Sequence, residues 1–297
     1  MDSYAATIGM FDGVHRGHQY VLRQLVQTAR GRGLQSLVVT FDHAVRRDAV
    51  LTPLDAKLSL LSKTGVDRIE TLPFTDELKQ MTACQFMQQV LRDRLGVRVL
   101  LTGYDNRFGH NREEGFDDYV RYGRQLGIEV LALSEYKDAD GAEAESVSSS
   151  LIRRLISEGR VAEAARCLGY QYTVSGRVTH GEHMGTQLGF PTANIVLSDP
   201  RQLVPAHGAY AVTVSLENSL EQKHAMMNIG SRPTFDGRQV TLEAHILRLH
   251  EDLYGQQLQV SFVERLRDER RFDSPEALRQ QLLQDAEMAE KILKSDE

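Results

Sequence analysis

The feature that most constrains the fold is a change of rhythm about half-way along the chain. In the first half, short apolar or β-branched runs alternate with stretches of helical spacing. Residues 4–8, 36–41, 68–72, 97–102 and 129–133 read as strands. Residues 20–29, 54–64, 83–95 and 116–126 read as helices; in the first of these Val21, Leu22, Leu25, Val26 and Ala29 share one stripe. This alternation predicts an α/β domain, a parallel sheet covered on both faces, with ligands at the carboxyl ends of its strands. Residues 151–168 hold two short helical pieces around Gly159. The rest is β-rich: 172–178, 193–196, 208–216, 223–229, 241–247 and 257–262, punctuated by Gly, Pro and Asn. Such spacing predicts a small antiparallel barrel or sandwich. Residues 274–294 read as a closing helix, with Ser274 as cap, Pro275 in the first turn, and Leu278, Leu282, Ala286, Ala289 and Leu293 as its stripe. The 297 residues suit two domains, which we place at 1–165 and 166–297.

The formal net charge of −6 disfavours non-specific binding to nucleic acid or anionic membrane, which needs clustered cations. Arg265, Arg267, Arg270 and Arg271 are interleaved with Asp and Glu and read as a solvated face. No apolar run approaches the roughly 20 residues of a membrane span, and no basic flank followed by an apolar stretch marks a signal peptide. A cytoplasmic location is the expectation. Cys84 and Cys167 stand in no C-x-x-C or Cys/His spacing, which predicts reduced, packed thiols.

Residues 9–18 read Gly-Met-Phe-Asp-Gly-Val-His-Arg-Gly-His and link the first strand to the first helix. Gly9, Gly13 and Gly17 let the backbone turn sharply and approach a ligand. His15 and His18 share a face in the first helical turn, beside free amides that favour an anion. Two imidazole donors there suit stabilisation of a phosphoryl group in transfer, with attack on an α-phosphate and pyrophosphate leaving. The bland reading is a pair of surface histidines, which the accompanying Gly9, Phe11, Asp12 and Gly13 disfavour. Ser148, Ser149 and Ser150 lead into a helix that carries Arg153 one turn on, a cap or a cradle for β- and γ-phosphates. The loop 103–109 follows a strand where an α/β sheet places its ligands, although spacing alone favours a plain Gly-bounded loop.

Together these three stretches resemble the nucleotidyltransferase domain of the bacterial bifunctional riboflavin kinases/FMN adenylyltransferases. The resemblance implies that His15 and His18 contact ATP phosphates, that Gly9, Phe11, Asp12, Gly13 and Gly17 shape the ATP loop, and that Ser149, Ser150 and Arg153 hold the triphosphate. It places flavin against Phe41, Asp42, Asp105 and Phe108. It continues into the β-rich half, where residues 189–194 read Gly-Phe-Pro-Thr-Ala-Asn, similar to the signature of riboflavin kinases, which are small six-stranded barrels. By spacing alone this is a turn between strands, in which Thr192 and Asn194 point to one side. The resemblance makes Gly189, Pro191, Thr192 and Asn194 the Mg-ATP site, with Thr192 and Asn194 toward Mg²⁺. It makes Glu243, on a strand between Leu242 and Ala244, the base for the ribityl 5′-hydroxyl. Residues 228–235, 267–269 and 272–273 match further family stretches.

The implied substrates are riboflavin, FMN and ATP, with Mg²⁺ as cofactor. The chain departs from the family pattern at residues 42–51, which lack two prolines and are short, and at Asn106, where the loop usually has Phe. Both changes lie where the resemblance places FMN, so weaker or differently shaped flavin binding is expected there. Arg46 and Arg47 are candidate grips for the FMN phosphate, or plain solvated arginines. Three alternatives stay open: a riboflavin kinase with a weakened adenylyltransferase domain, a non-catalytic flavin or nucleotide sensor, and another His-x-Gly-His nucleotidyltransferase such as a cytidylyltransferase.

Overall fold

A computed structural model describes the chain outside residues 1–2, 43–48, 104–106, 111–112, 135, 137–146, 181–184, 186–187, 217–220, 235–236, 250 and 296–297, and outside the side chains of 232–239. The chain divides into two compact units, Met1–Ser148 and Ser149–Glu297.

The first unit is built on five parallel strands: β1 (Tyr4–Ile8), β2 (Gln35–Phe41), β3 (Arg68–Leu72), β4 (Val97–Gly103) and β5 (Glu129–Leu133). Their order is β3-β2-β1-β4-β5, so the chain winds outward from β1 and then restarts on its other side at β4. The point of reversal, between β1 and β4, is where such sheets open a ligand crevice. Strand alternation feeds two cores. Tyr4, Ala6, Ile8, Leu37 and Val39 pack with Phe86, Met87, Leu91 and Tyr119 on one face. Ala5 and Val38 pack with Leu22, Leu25 and Ala29 of α1 (Arg16–Gly31) on the other. The remaining helices are α2 (Leu54–Ser62), α3 (Asp76–Gln80), α4 (Ala83–Gln85) and α5 (Phe116–Leu126). The short α3, not expected from periodicity, is started by Thr75, whose hydroxyl accepts from the Leu78 amide.

The helix expected over 83–95 is α-helical only through Gln85 and continues as a π-helix, Phe86–Arg94. Its buried residues, Ala83, Phe86, Met87, Val90, Leu91 and Leu95, keep the three- and four-residue steps of an ordinary helical stripe, so the apolar pattern does not account for the wider turn.

The second unit opens with α6 (Ser149–Ser157) and α7 (Val161–Leu168). Six antiparallel strands follow: β6 (Tyr172–Thr179), β7 (Ala193–Leu197), β8 (Gly208–Leu216), β9 (Gln222–Thr234), β10 (Gly237–Ile246) and β11 (Gln257–Asp268). They close into a barrel in the order β10-β7-β6-β11-β8-β9. The junction expected at 165/166 falls earlier in the packing, because both helices are bound to the barrel. The Ala206 amide donates to the Ile156 carbonyl at 3.2 Å, and a Cβ on Gly159 would lie 2.8 Å from the Tyr210 hydroxyl. The last helix, α8 (Pro275–Ser295), is capped by Ser274, whose Oγ accepts from the Ala277 amide at 3.1 Å. Ala289 and Leu293 are buried as its stripe predicts, and so is Asp285, which accepts from both Nε and Nη2 of Arg267 on β11.

Candidate active sites

β1 delivers the chain into a strained loop. Phe11 and Val14 hold φ of 49° and 35°, and Gly13 holds 83°. Two braces keep it there. The buried Phe11 ring covers Gly9, where a Cβ would sit 3.1 Å from ring carbons. Asp12 accepts from the amides of Leu51 and Thr52 at 3.0 and 3.1 Å, while the Gly13 amide donates to Thr52 Oγ1 at 3.0 Å.

The loop ends on His15, which caps α1: its Nδ1 accepts from the His18 amide at 3.4 Å. The two imidazoles stack with centroids 3.6 Å apart and planes 21° apart. Gly17 permits this, since a Cβ there would be 3.2 Å from the His15 ring. Because His15 Nδ1 accepts, its proton lies on Nε2, which is left as a donor. Burial pushes His15 down to about 4 and His18 well below its ordinary value, with the neighbouring His15 as a second cause. Both rings are therefore neutral at pH 7. Nδ1 of His18 is buried and has no hydrogen-bond partner among the described residues, which is uncommon outside ligand sites.

A cavity of about 510 Å³ opens at the carboxyl ends of the strands. Gly9 and Met10 after β1, Phe41 at the end of β2, Phe74 after β3, and Phe86 and Phe108 wall it. Phe41 meets Phe74 edge-on at 5.4 Å, and Phe108 stacks on Tyr119 at 4.1 Å, so the walls are fixed aromatic surfaces. Lys79, Arg107 and His110 also line it. Such a slot suits a planar apolar ring carrying an anionic tail.

In the second unit Gly189, at φ 86°, turns the chain before Phe190. The Pro191 carbonyl accepts from Nδ1 of His245 on β10 at 2.8 Å, which fixes the peptide just before Thr192. Burial pulls His245 below its ordinary value. β7 then pairs with β10 so that Asn194 lies directly opposite Glu243, and Glu243 lies opposite Asn228 of β9. These three polar side chains form one row across three strands, with neighbouring Cβ atoms about 5 Å apart. Leu242 and Ala244 are buried, so alternation carries Glu243 to the face away from the barrel core. A cavity of about 370 Å³ is lined by Pro191, Thr192, Ala244, Glu251, Asp252 and Tyr254. Its oxygen donors fit a hard cation such as Mg²⁺ held largely by nucleotide phosphates.

Residues 2–151 match the family model for FAD synthetase, and residues 168–293 match the one for riboflavin kinase. The chain belongs to the bifunctional riboflavin kinase/FMN adenylyltransferase family. It is 35% identical to the bifunctional riboflavin kinase/FMN adenylyltransferase of Escherichia coli (strain K12), over 94% of this chain and 89% of that one. With the protein of the same name from Pseudomonas fluorescens the identity is 38%, over 92% and 88% of the two chains. A crystal structure of a protein named as a macrolide-efflux protein, from Streptococcus pneumoniae, superposes with a TM-score of 0.87 at 30% identity, over 98% of this chain and 95% of that one. Among the described residues no helix is long and apolar enough to cross a membrane.

In the FAD synthetase unit, His15, His18, Gly9 and Gly17 form one cluster, braced by Phe11, Asp12 and Gly13. Phe41 and Phe108 meet in the aromatic cavity. Asp42 turns its carboxylate to the Phe74 amide, at 3.0 Å. Asp105, Arg46 and Arg47 lie outside the described residues. Ser149 and Ser150 open α6, with Arg153 one turn in, and all three belong to the second unit. In the riboflavin kinase unit, Pro191 and Thr192 share a cavity, and Asn194 and Glu243 share a row. The sequence did not single out Lys57, Glu251 or Asp252, and Asn228 and His245 stood only within the family-like stretches 228–235 and 242–246, without a role of their own. His245 was detectable, being two residues from Glu243 and hence on the same face of the strand.

Proposed function

We propose that the protein phosphorylates riboflavin with ATP, giving FMN and ADP, and then adenylylates FMN with a second ATP, giving FAD and pyrophosphate. The observation that carries the kinase assignment is the pairing of Glu243 with Asn194, two residues from Thr192. A carboxylate beside an amide oxygen, with a hydroxyl two residues along the chain, suits an alcohol attacking a γ-phosphate. Glu243 takes the proton from the ribityl 5′-hydroxyl. Thr192 and Asn194 hold Mg-ATP, with Gly189 and Pro191 shaping the turn. Mg²⁺, when bound, neutralises phosphate charge.

In the first unit the ribityl phosphate of FMN attacks the α-phosphate of ATP, and the bond to pyrophosphate breaks. His15 Nε2–H and His18 bond the oxygens on which charge accumulates. Neutral imidazoles held as donors need no proton from solvent. The aromatic cavity takes the isoalloxazine ring. The substrates are soluble, and we assign both steps to the cytoplasm, where ATP is supplied.

The test is purified protein with riboflavin, ATP and Mg²⁺, and chromatographic separation of the flavins. FMN followed by FAD is expected. FMN alone would reduce the protein to a riboflavin kinase, and neither product would leave a sensor.

A further inference from the structure

Lys57 occupies the buried face of α2 together with Leu61, a place where helical spacing calls for an apolar side chain. It is 5% exposed. An ammonium so deeply buried is costly unless its hydrogens are all bonded. Here three acceptors meet it: the Phe41 carbonyl at 2.8 Å, Thr40 Oγ1 at 3.1 Å and the Met10 carbonyl at 3.3 Å. Thr40 Oγ1 in turn donates to the Met10 carbonyl at 3.3 Å. Met10 belongs to the loop after β1, and Phe41 ends β2. Both line the aromatic cavity.

We propose that Lys57 is a positioning residue for adenylyl transfer: its ammonium ties the Met10 and Phe41 carbonyls together and so sets the spacing of two walls of the flavin slot. This rests on the FMN-adenylylating reading of the first unit. The tie matters for electrostatics as well as shape. Without Lys57, the Phe41 and Met10 carbonyl dipoles would converge with only Thr40 Oγ1 left to bond one of them, at the strand ends that must accept the phosphates of FMN and ATP. Burial lowers the Lys57 ammonium from its ordinary value, and Asp12 and Asp42, which face it from the ends of the same two strands, partly oppose that by favouring its charged form. The charge at position 57 thus compensates the carboxylates that brace the loop.

Lys57→Met preserves the stem and removes the donors. FAD formation is to be measured with FMN varied at saturating ATP, then with ATP varied at saturating FMN. Riboflavin phosphorylation by the same preparation and the melting profile report folding. The expected result is a KM for FMN raised about tenfold or more, the scale of losing a charged hydrogen-bond donor. A smaller change in kcat and unaltered riboflavin phosphorylation should accompany it, as for binding common to ground and transition states. A KM for FMN within twofold of the native value, in folded protein, would overturn the proposal. So would a fall in kcat alone, since a merely structural lysine has no reason to act on FMN. If Lys57→Met melts the first unit, Lys57→Gln, which keeps two N–H donors without the charge, is judged by the same criterion. A native protein that makes no FAD would sink the adenylylation reading itself, and this inference with it, before any variant is compared.

Discussion

Gly17→Ala isolates the histidine stack with the smallest available change. In a helix, Ala is ordinarily better than Gly by about 1 kcal/mol, and less in the first turn. On backbone grounds the variant should therefore fold as well as the native chain. The new Cβ, however, would lie 3.2 Å from Cε1 and Nδ1 of His15. Ordinary contact requires a few tenths of an ångström more, so the ring must yield by roughly 0.4 Å. His15 has little room, being stacked on His18 at 3.6 Å and capping α1 through Nδ1. Misplacement of a reacting contact by 1 Å can cost about 10² in rate, so roughly 0.4 Å scales to a three- to tenfold loss. The assay is kcat for FAD formation from FMN and ATP, with riboflavin phosphorylation and the melting temperature measured alongside. The expected outcome is a several-fold lower kcat for FAD, with phosphorylation and melting unchanged. An unchanged kcat for FAD would refute the idea that the spacing of the two rings is tuned for transfer.

Three further predictions follow from the two sites. Glu243→Gln keeps shape but cannot take a proton, so riboflavin phosphorylation should fall about 10²–10⁴-fold while supplied FMN still becomes FAD; His18→Ala should do the reverse, and a loss of both activities in either folded variant would contradict separate sites. His15 titrates near 6.5 unfolded and about 4 folded, so between those values the unfolded chain takes up a proton that the folded one refuses. First-unit stability should be full above about pH 6.5 and fall by up to about 3 kcal/mol toward pH 4, and denaturant melts across that range should show His15→Asn flattening the slope. Asp285→Asn leaves Arg267 buried beside a neutral amide and should cost about 3 kcal/mol in calorimetric melting of the barrel unit, whereas an unshifted transition would make the pair dispensable.

The alternation of strands and helices was legible because each element of a covered parallel sheet carries its own period in local sequence. The His-x-Gly-His loop was legible for a similar reason: its glycines and histidines act within ten residues of one another. Asn194 and Glu243 are different. Each was singled out by resemblance, but that they face one another depends on the register of β7 against β10, set by barrel closure and not by either strand alone. Lys57 was invisible because a lysine in a helical stretch ordinarily reaches water. Only the convergence of the ends of β1 and β2 supplies the acceptors that keep it inside. The π-turn was not legible, because the buried residues from Ala83 to Leu95 keep the steps of an ordinary helical stripe.

The winding of the first sheet has a consequence for how the protein is made. β1 gains a first neighbour when β2 appears, but its other edge waits for β4, where Tyr4 meets Val97. Some 90 residues separate those partners, and a ribosome adding about 5–20 residues per second needs roughly 5 to 20 s to supply them. For that interval the histidine loop hangs from a strand with one open side, and the crevice beside it has a single wall. In the barrel β8 and β9 pair with their immediate successors, but the second edge of β6 waits for β11, where Tyr172 meets Phe262 about 90 residues on. On a growing chain each unit thus completes its sheet only when a strand about 90 residues further on arrives, and the FAD synthetase unit meets that wait first. Slowed translation just before β4 would prolong that exposure, whereas the same pause within the barrel would leave it untouched.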